Sequence, residues 1–271
     1  MAQAVFDRPI LTQLTTGDDE PVLVADFQDW STAPRLSRLL SGRSGGHPLY
    51  RIDPISVLLH DQLYLPLEDL AGACAEEFRS CGPPGGRVFI VGQCAASALS
   101  LRVAELLQGT RNVTVILVQP TWPGEEHVWD RFAEFIANLG AADRARADLD
   151  GDPAQSVARM ERTLRDEIEA IAASQGAGET ADAFTELLAW YRAWLAFLLA
   201  CRNDLARHDG QPAARPSAAL TVTILTGAES GAVVPGLAPG EYGVVQVPVL
   251  DQDPAISAEL ADFLQTLFTS R

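Results

Sequence analysis

The sequence predicts an α/β chain, a mostly parallel sheet covered by helices with a helical lid inserted between two core strands. Three observations predict it. Apolar, β-branched runs alternate with helical patterns from residue 47 to 118 and again from 219 to 269. Between 121 and 215 the alternation stops, and helical patterns follow one another without a strand. The run VFIVG (88–92) breaks at QCAAS (93–97), a tight turn with one reactive side chain, Cys94, at its tip.

Taken in order, residues 1–46 are mixed in pattern and end in the turn-rich SGRSGGH, so they predict no defined element. HPLYRID (47–53) reads as a short strand that Asp53-Pro54 leads into a loop. LPLEDLAGACAEEFRSC (65–81) carries apolar residues at helical spacing and stops at the breaker GPPGG. RVFIVG (87–92) predicts a buried strand, AASALSLRVAELL (95–107) a helix, and NVTVILV (112–118) a strand ended by Gln119-Pro120. HVWDRFAEFIANLG, PAQSVARMERTLRDEIEAIAAS and TADAFTELLAWYRAWLAFLLACRNDLARH read as successive helices. ALTVTILTG (219–227) and YGVVQVPVL (242–250) restore the strands, and a helix over 254–269 closes the chain. The core is therefore expected over 1–120 and 216–271, and the lid over 121–215. Ligands of such sheets bind at the carboxyl ends of the strands, so the lid is expected to roof Cys94. Trp122, Trp190 and Trp194 are candidate lining for a substrate pocket. Aromatic residues three or four apart on a helix are also what ordinary packing requires.

Composition narrows the chemistry. The 271 residues carry a net charge of −16, which argues against a nucleic-acid partner. Every basic residue is arginine; without lysine there is no Schiff base and no Walker-type phosphate loop. The four cysteines, Cys74, Cys81, Cys94 and Cys201, show no metal-ligand spacing and suit a reducing, cytoplasmic setting. No leader pattern opens the sequence and no uninterrupted apolar run predicts a membrane span. No metal site is expected.

GQCAA meets the requirements of a nucleophile elbow of the G-x-S-x-G type. Gly92 stands two before the nucleophile and Ala96, the smallest change that still fits, replaces the second glycine. With the element order and the helical insertion, roughly residues 47–270 resemble thioesterase-type α/β hydrolases acting on carrier-bound polyketides and peptides. The cysteine in GQCAASALSLRVAELL is similar to that of the cysteine-dependent Dieckmann cyclases of that superfamily. The resemblance implies a small-molecule acyl substrate delivered on the phosphopantetheine of an acyl or peptidyl carrier protein, with no other cofactor. It implies Cys94 as nucleophile and the Ala95 N–H as one oxyanion donor. The second donor is expected in the loop after HPLYRID, where Pro54 has no N–H and Ile55 is the candidate. The family acid follows NVTVILV, where Gln119 cannot serve, or LTVTILTG, where Glu229 can. The family histidine belongs in VPVLDQDPAIS, which holds Asp251 and Asp253 instead. His47, His60, His127 and His208 remain, of which His60 and His127 are candidates to approach from another direction.

A thiol tolerates that loss better than a hydroxyl. Its reference pKa is about 8.5, and a helix N-terminus favours the thiolate; an unpaired Asp251 nearby would oppose this. Exchange between thiol and thioester breaks and makes like bonds. Hydrolysis of the acyl-enzyme is the step that needs a base, worth about 10²–10⁴ in rate. The expected outcome is release by intramolecular ring closure. The alternatives are an editing thioesterase with a relocated histidine, and a hydrolase fold that binds acyl chains or carriers without catalysis. Docking of an acidic carrier on an acidic chain calls for an arginine patch, for which Arg159, Arg162 and Arg165 are candidates.

Overall fold

The structure is a computed structural model that describes residues 9–26, 35–43, 45–60, 63–140, 149, 151–175, 181–207, 220–227, 233–235, 237–247 and 254–269. Its strands are β1 (Leu11–Gln13), β2 (Val22–Ala25), β3 (Leu49–Ile52), β4 (Arg87–Gln93), β5 (Asn112–Val118), β6 (Leu220–Thr226) and β7 (Gly243–Gln246). Its helices are α1 (Leu36–Ser41), α2 (Pro54–His60), α3 (Leu67–Cys81), α4 (Ala96–Leu107), α5 (Glu125–Asn138), α6 (Pro153–Gln175), α7 (Ala181–Arg207) and α8 (Pro254–Thr269). The strands form one sheet in the order β1-β3-β2-β4-β5-β6-β7. β1 runs antiparallel to β3, and every other pairing is parallel. The mostly parallel sheet expected from the alternation is present, and between β5 and β6 the described residues are helical or irregular.

Alternation along the strands divides the core in two. Leu23, Ile90, Val115 and Ile224 face the larger cluster, shared with α2 to α7, while Val24, Val91, Ile116 and Leu225 face α1 and α8. Burial on both faces explains why the central strands read as continuous apolar runs.

The first 46 residues depart from expectation: they supply β1, β2 and α1. VLVA of β2 is only four residues long and wholly buried, so no alternation marks it. The segment after β3 is also a helix rather than a loop. Asp53 accepts the Ser56 N–H at 3.1 Å and the Ser56 hydroxyl at 2.9 Å, with Pro54 in the first turn. An acidic N-cap followed by proline is how helices start.

Helix α7 is long and apolar enough to cross a membrane by length and composition, yet 61% of its apolar window is buried inside the protein. Ala193 and Leu195 to Cys201 are at most 1% exposed. Its polar groups fasten neighbours: Arg192 donates to the Leu58 and Leu59 carbonyls at the end of α2 (3.2 and 2.9 Å), and Asp204 receives Arg102 of α4.

Candidate active site

The turn between β4 and α4 is built as an elbow. Cys94 has φ 48°, in the left-handed region that side-chain-bearing residues rarely enter. Three bonds hold it there. Its N–H donates to the Val118 carbonyl at 3.0 Å, and its carbonyl accepts the Ser97 and Thr121 N–H groups at 3.1 and 3.2 Å. The side chain is half-buried. Gly92 lets α4 approach β4, since a Cβ there would lie 2.5 Å from Ser100 Oγ and 3.0 Å from the Ser97 Cα. Ala96 opens α4 and is 1% exposed.

Ala95 caps α4 without a side-chain bond, and its N–H is engaged by no described residue. That leaves an amide donor beside Cys94, at the positive end of a 12-residue helix. The helical insertion comes down on this turn. The Cys201 thiol of α7 donates to the Ala95 carbonyl at 3.9 Å. Burial pushes the Cys201 and Cys74 thiols up, so both are held protonated.

Ile55 is not beside the elbow. It lies in the first turn of α2 after β3, and β2 stands between β3 and β4. Two strand spacings are about 10 Å. Chain order suggested the loop after HPLYRID, whereas the pairing puts the carboxyl end of β2, not that of β3, beside the carboxyl end of β4. Asp26 follows β2 directly, and residues 27–34 lie outside the described residues. Asp26 is 3% exposed and accepts the Ser37 N–H of α1 at 2.6 Å. Burial pushes its carboxyl above the usual range, against the pull of the Ser37 bonds and of Arg51 and Arg35.

The remaining candidates separate. Glu229, Asp251, Asp253 and His208 lie outside the described residues, as does the side chain of His60. His47 is structural and sits at the opposite end of the sheet. It is 3% exposed, bonds the Glu20 carbonyl through Nδ1 at 2.7 Å, and meets Phe89 and Phe268 edge-on. His127 stands in the first turn of α5, a few residues after Thr121. Burial lowers its pKa first, the neighbouring Arg131 next, so the imidazole is neutral at pH 7.

Trp122 packs against the larger core cluster and donates its indole N–H to the Val233 carbonyl at 2.7 Å. Trp190 and Trp194 stack on each other at 5.8 Å, and Phe135 of α5 stacks on Tyr191 at 3.9 Å. Trp194 lies seven residues before Cys201 on α7, about 10 Å along the axis. The pair is thus set back from the elbow, in a packed aromatic ladder. Arg159, Arg162 and Arg165 are exposed on α6, with Arg165 bonded to Glu161 at 2.7 Å. Among the described residues, no group of three His, Cys, Asp or Glu is placed to hold a metal.

No family model matches the chain, and no curated protein sequence matches it. Solved structures do. A four-domain nonribosomal peptide synthetase bound to AMP and glycine aligns with TM-score 0.56 and 15% identity over 97% of this chain. The match covers 20% of that synthetase, so this chain spans about a fifth of its length. The Vlm2 thioesterase domain bound with a dodecadepsipeptide aligns with TM-score 0.54 and 16% identity, over 95% of this chain and 97% of that one. An alpha/beta hydrolase family protein from Desulfitobacterium hafniense gives TM-score 0.54 and 14% identity, over 96% of this chain and 100% of that one. At such identities likeness speaks for architecture, and with the strand order and the elbow it establishes that this chain has the α/β-hydrolase fold.

Proposed function

We propose that this protein takes an acyl or peptidyl chain from the phosphopantetheine thioester of a carrier protein onto Cys94 and releases it by intramolecular cyclisation. The observation that carries the reading is the left-handed Cys94 between β4 and α4, a placement a merely structural cysteine does not need. The thioesterase domains among its structural neighbours support the carrier-bound substrate class.

In the first step the Cys94 sulfur attacks the thioester carbonyl. A new C–S bond forms, the carrier's C–S bond breaks, and the pantetheine thiol leaves with the proton. The Ala95 N–H is the donor assigned to the developing oxyanion. In the second step a carbon between two carbonyls, or an amine, attacks the same carbonyl from within the chain. It loses its proton, a ring closes, and the Cys94 thiolate departs. Gln119 stands at one of the two positions where the resembled family places its acid, and its carboxamide takes no proton from water, whereas an internal nucleophile requires less help.

Incubation with a synthetic β-ketoacyl pantetheine thioester tests the reading by product. A ring as the major product supports it, and linear acid alone overturns the cyclisation. A second reading, hydrolysis of stalled chains, is favoured by the neutral, half-buried His127, six residues after Thr121, whose N–H donates to the Cys94 carbonyl. Its mark is linear acid whose formation is lost in His127→Ala.

A further inference from the structure

Cys94 and Gln119 are the two non-glycine residues with positive φ among the described residues, at 48° and 47°. They are also neighbours. The register pairs Gln93 with Val118, so each is the first residue beyond its strand. Adjacent strands lie about 5 Å apart, and the Cys94 N–H crosses that gap to the Val118 carbonyl. Gln119 is fixed from the other side, its N–H donating to the Leu225 carbonyl of β6 at 2.8 Å. Its side chain is half-exposed, and its carboxamide is bonded to no described residue. Unfavourable backbone kept at two adjacent strand ends is a mark of a working site.

We propose that Gln119 is a specificity-determining residue of the thiol site: it places a neutral carboxamide, not an ionisable group, beside the acyl group on Cys94, so that internal attack outruns water. The proposal rests on the acyl-enzyme reading above. In hydrolysis, water gives a proton to a base as its oxygen bonds the carbonyl and the C–S bond breaks. A carboxamide accepts no proton at neutral pH. An acidic carbon or an amine ionises or attacks with less help, so the ring-forming step keeps its rate.

The test introduces the missing charge in the full chain, with Cys81→Ser removing the exposed competing thiol. Gln119→Glu and Gln119→Asp each set a carboxylate beside the sulfur, and aspartate tolerates the left-handed backbone, which guards against misfolding. Gln119→Met is the uncharged control. The pH profile of iodoacetamide alkylation at Cys94 should move up by about one unit in the Glu and Asp variants, since a like charge disfavours the thiolate, and stay in place in Met. Asp26 just after β2, His127 of α5 and Cys201 of α7 are common to all variants, so the difference reports on residue 119. With a β-ketoacyl pantetheine thioester, the ratio of linear acid to ring should rise at least about tenfold in the Glu and Asp variants.

Superimposed alkylation profiles would overturn the juxtaposition, whatever the reaction. A shifted profile with an unchanged product ratio would overturn the specificity role. A shifted profile with no acyl adduct in any variant would keep the juxtaposition and overturn that role together with the reading it rests on.

Discussion

Arg102 of α4 grips Asp204 of α7 through two nitrogens, Nε at 3.0 and 3.1 Å and an NH2 at 2.8 Å, with the side chains only 12% and 7% exposed. Arg102 also reaches Glu105 at 2.8 Å. The elbow helix and the longest helix of the insertion are therefore tied together within a few turns of Cys94.

Breaking one side of that pair strands a charge with little water to solvate it. Arg102→Ala and Asp204→Ala are each expected to lower unfolding stability by about 3 kcal/mol. The double variant should cost clearly less than the sum. Denaturant titration of the four proteins of the cycle checks this.

Gly92 is required by packing. With Ser100 Cβ at 2.8 Å from any added methyl group, Gly92→Ala must push α4 away from β4. A loss of about 2 kcal/mol is expected, and Ser100→Gly should return part of it. Thermal unfolding of the single and double variants measures both.

The left-handed backbone at residue 94 costs stability that glycine would not. Cys94→Gly should raise stability by about 1 kcal/mol after glycine's own entropy cost, while Cys94→Ala, which keeps a Cβ, should not. Denaturation midpoints separate the two variants. A residue whose removal stabilises the fold is one kept for chemistry.

Asp26 predicts a pH dependence with a definite sign. Its carboxyl is raised above 3.8 by burial, so the folded state holds the proton more tightly than the unfolded chain. Its contribution is present below pH 3.8 and is lost as pH rises through the folded value. Asp26→Asn keeps an acceptor for the Ser37 N–H and removes the charge. The variant should be more stable than the parent at pH 7, and the difference should vanish near pH 3, as read by urea unfolding at the two pH values.

The elbow was legible because its demands are local: small residues at 92 and 96, a β-branched strand before Cys94 and a helical pattern after it. The helices α5, α6 and α7 between β5 and β6 were legible from their apolar periodicity. β2 was not, because VLVA is buried on both faces and too short to show a period. Missing it shifted the second oxyanion donor to Ile55, one strand too far, since strand order follows pairing and not chain order. Asp53-Pro54 carried a helix-start signal that a turn reading obscured. The backbone of Gln119 left no trace in sequence, because its left-handed φ comes from the bonds that β5 and β6 impose.

The most direct measurement is intact-protein mass spectrometry, with peptide mapping, after exposure to an acyl-pantetheine thioester. The account predicts a mass increase equal to the acyl group, localised to Cys94, absent from buried Cys74 and Cys201 and lost in Cys94→Ala. No adduct at residue 94, or an adduct that persists in Cys94→Ala, would contradict it.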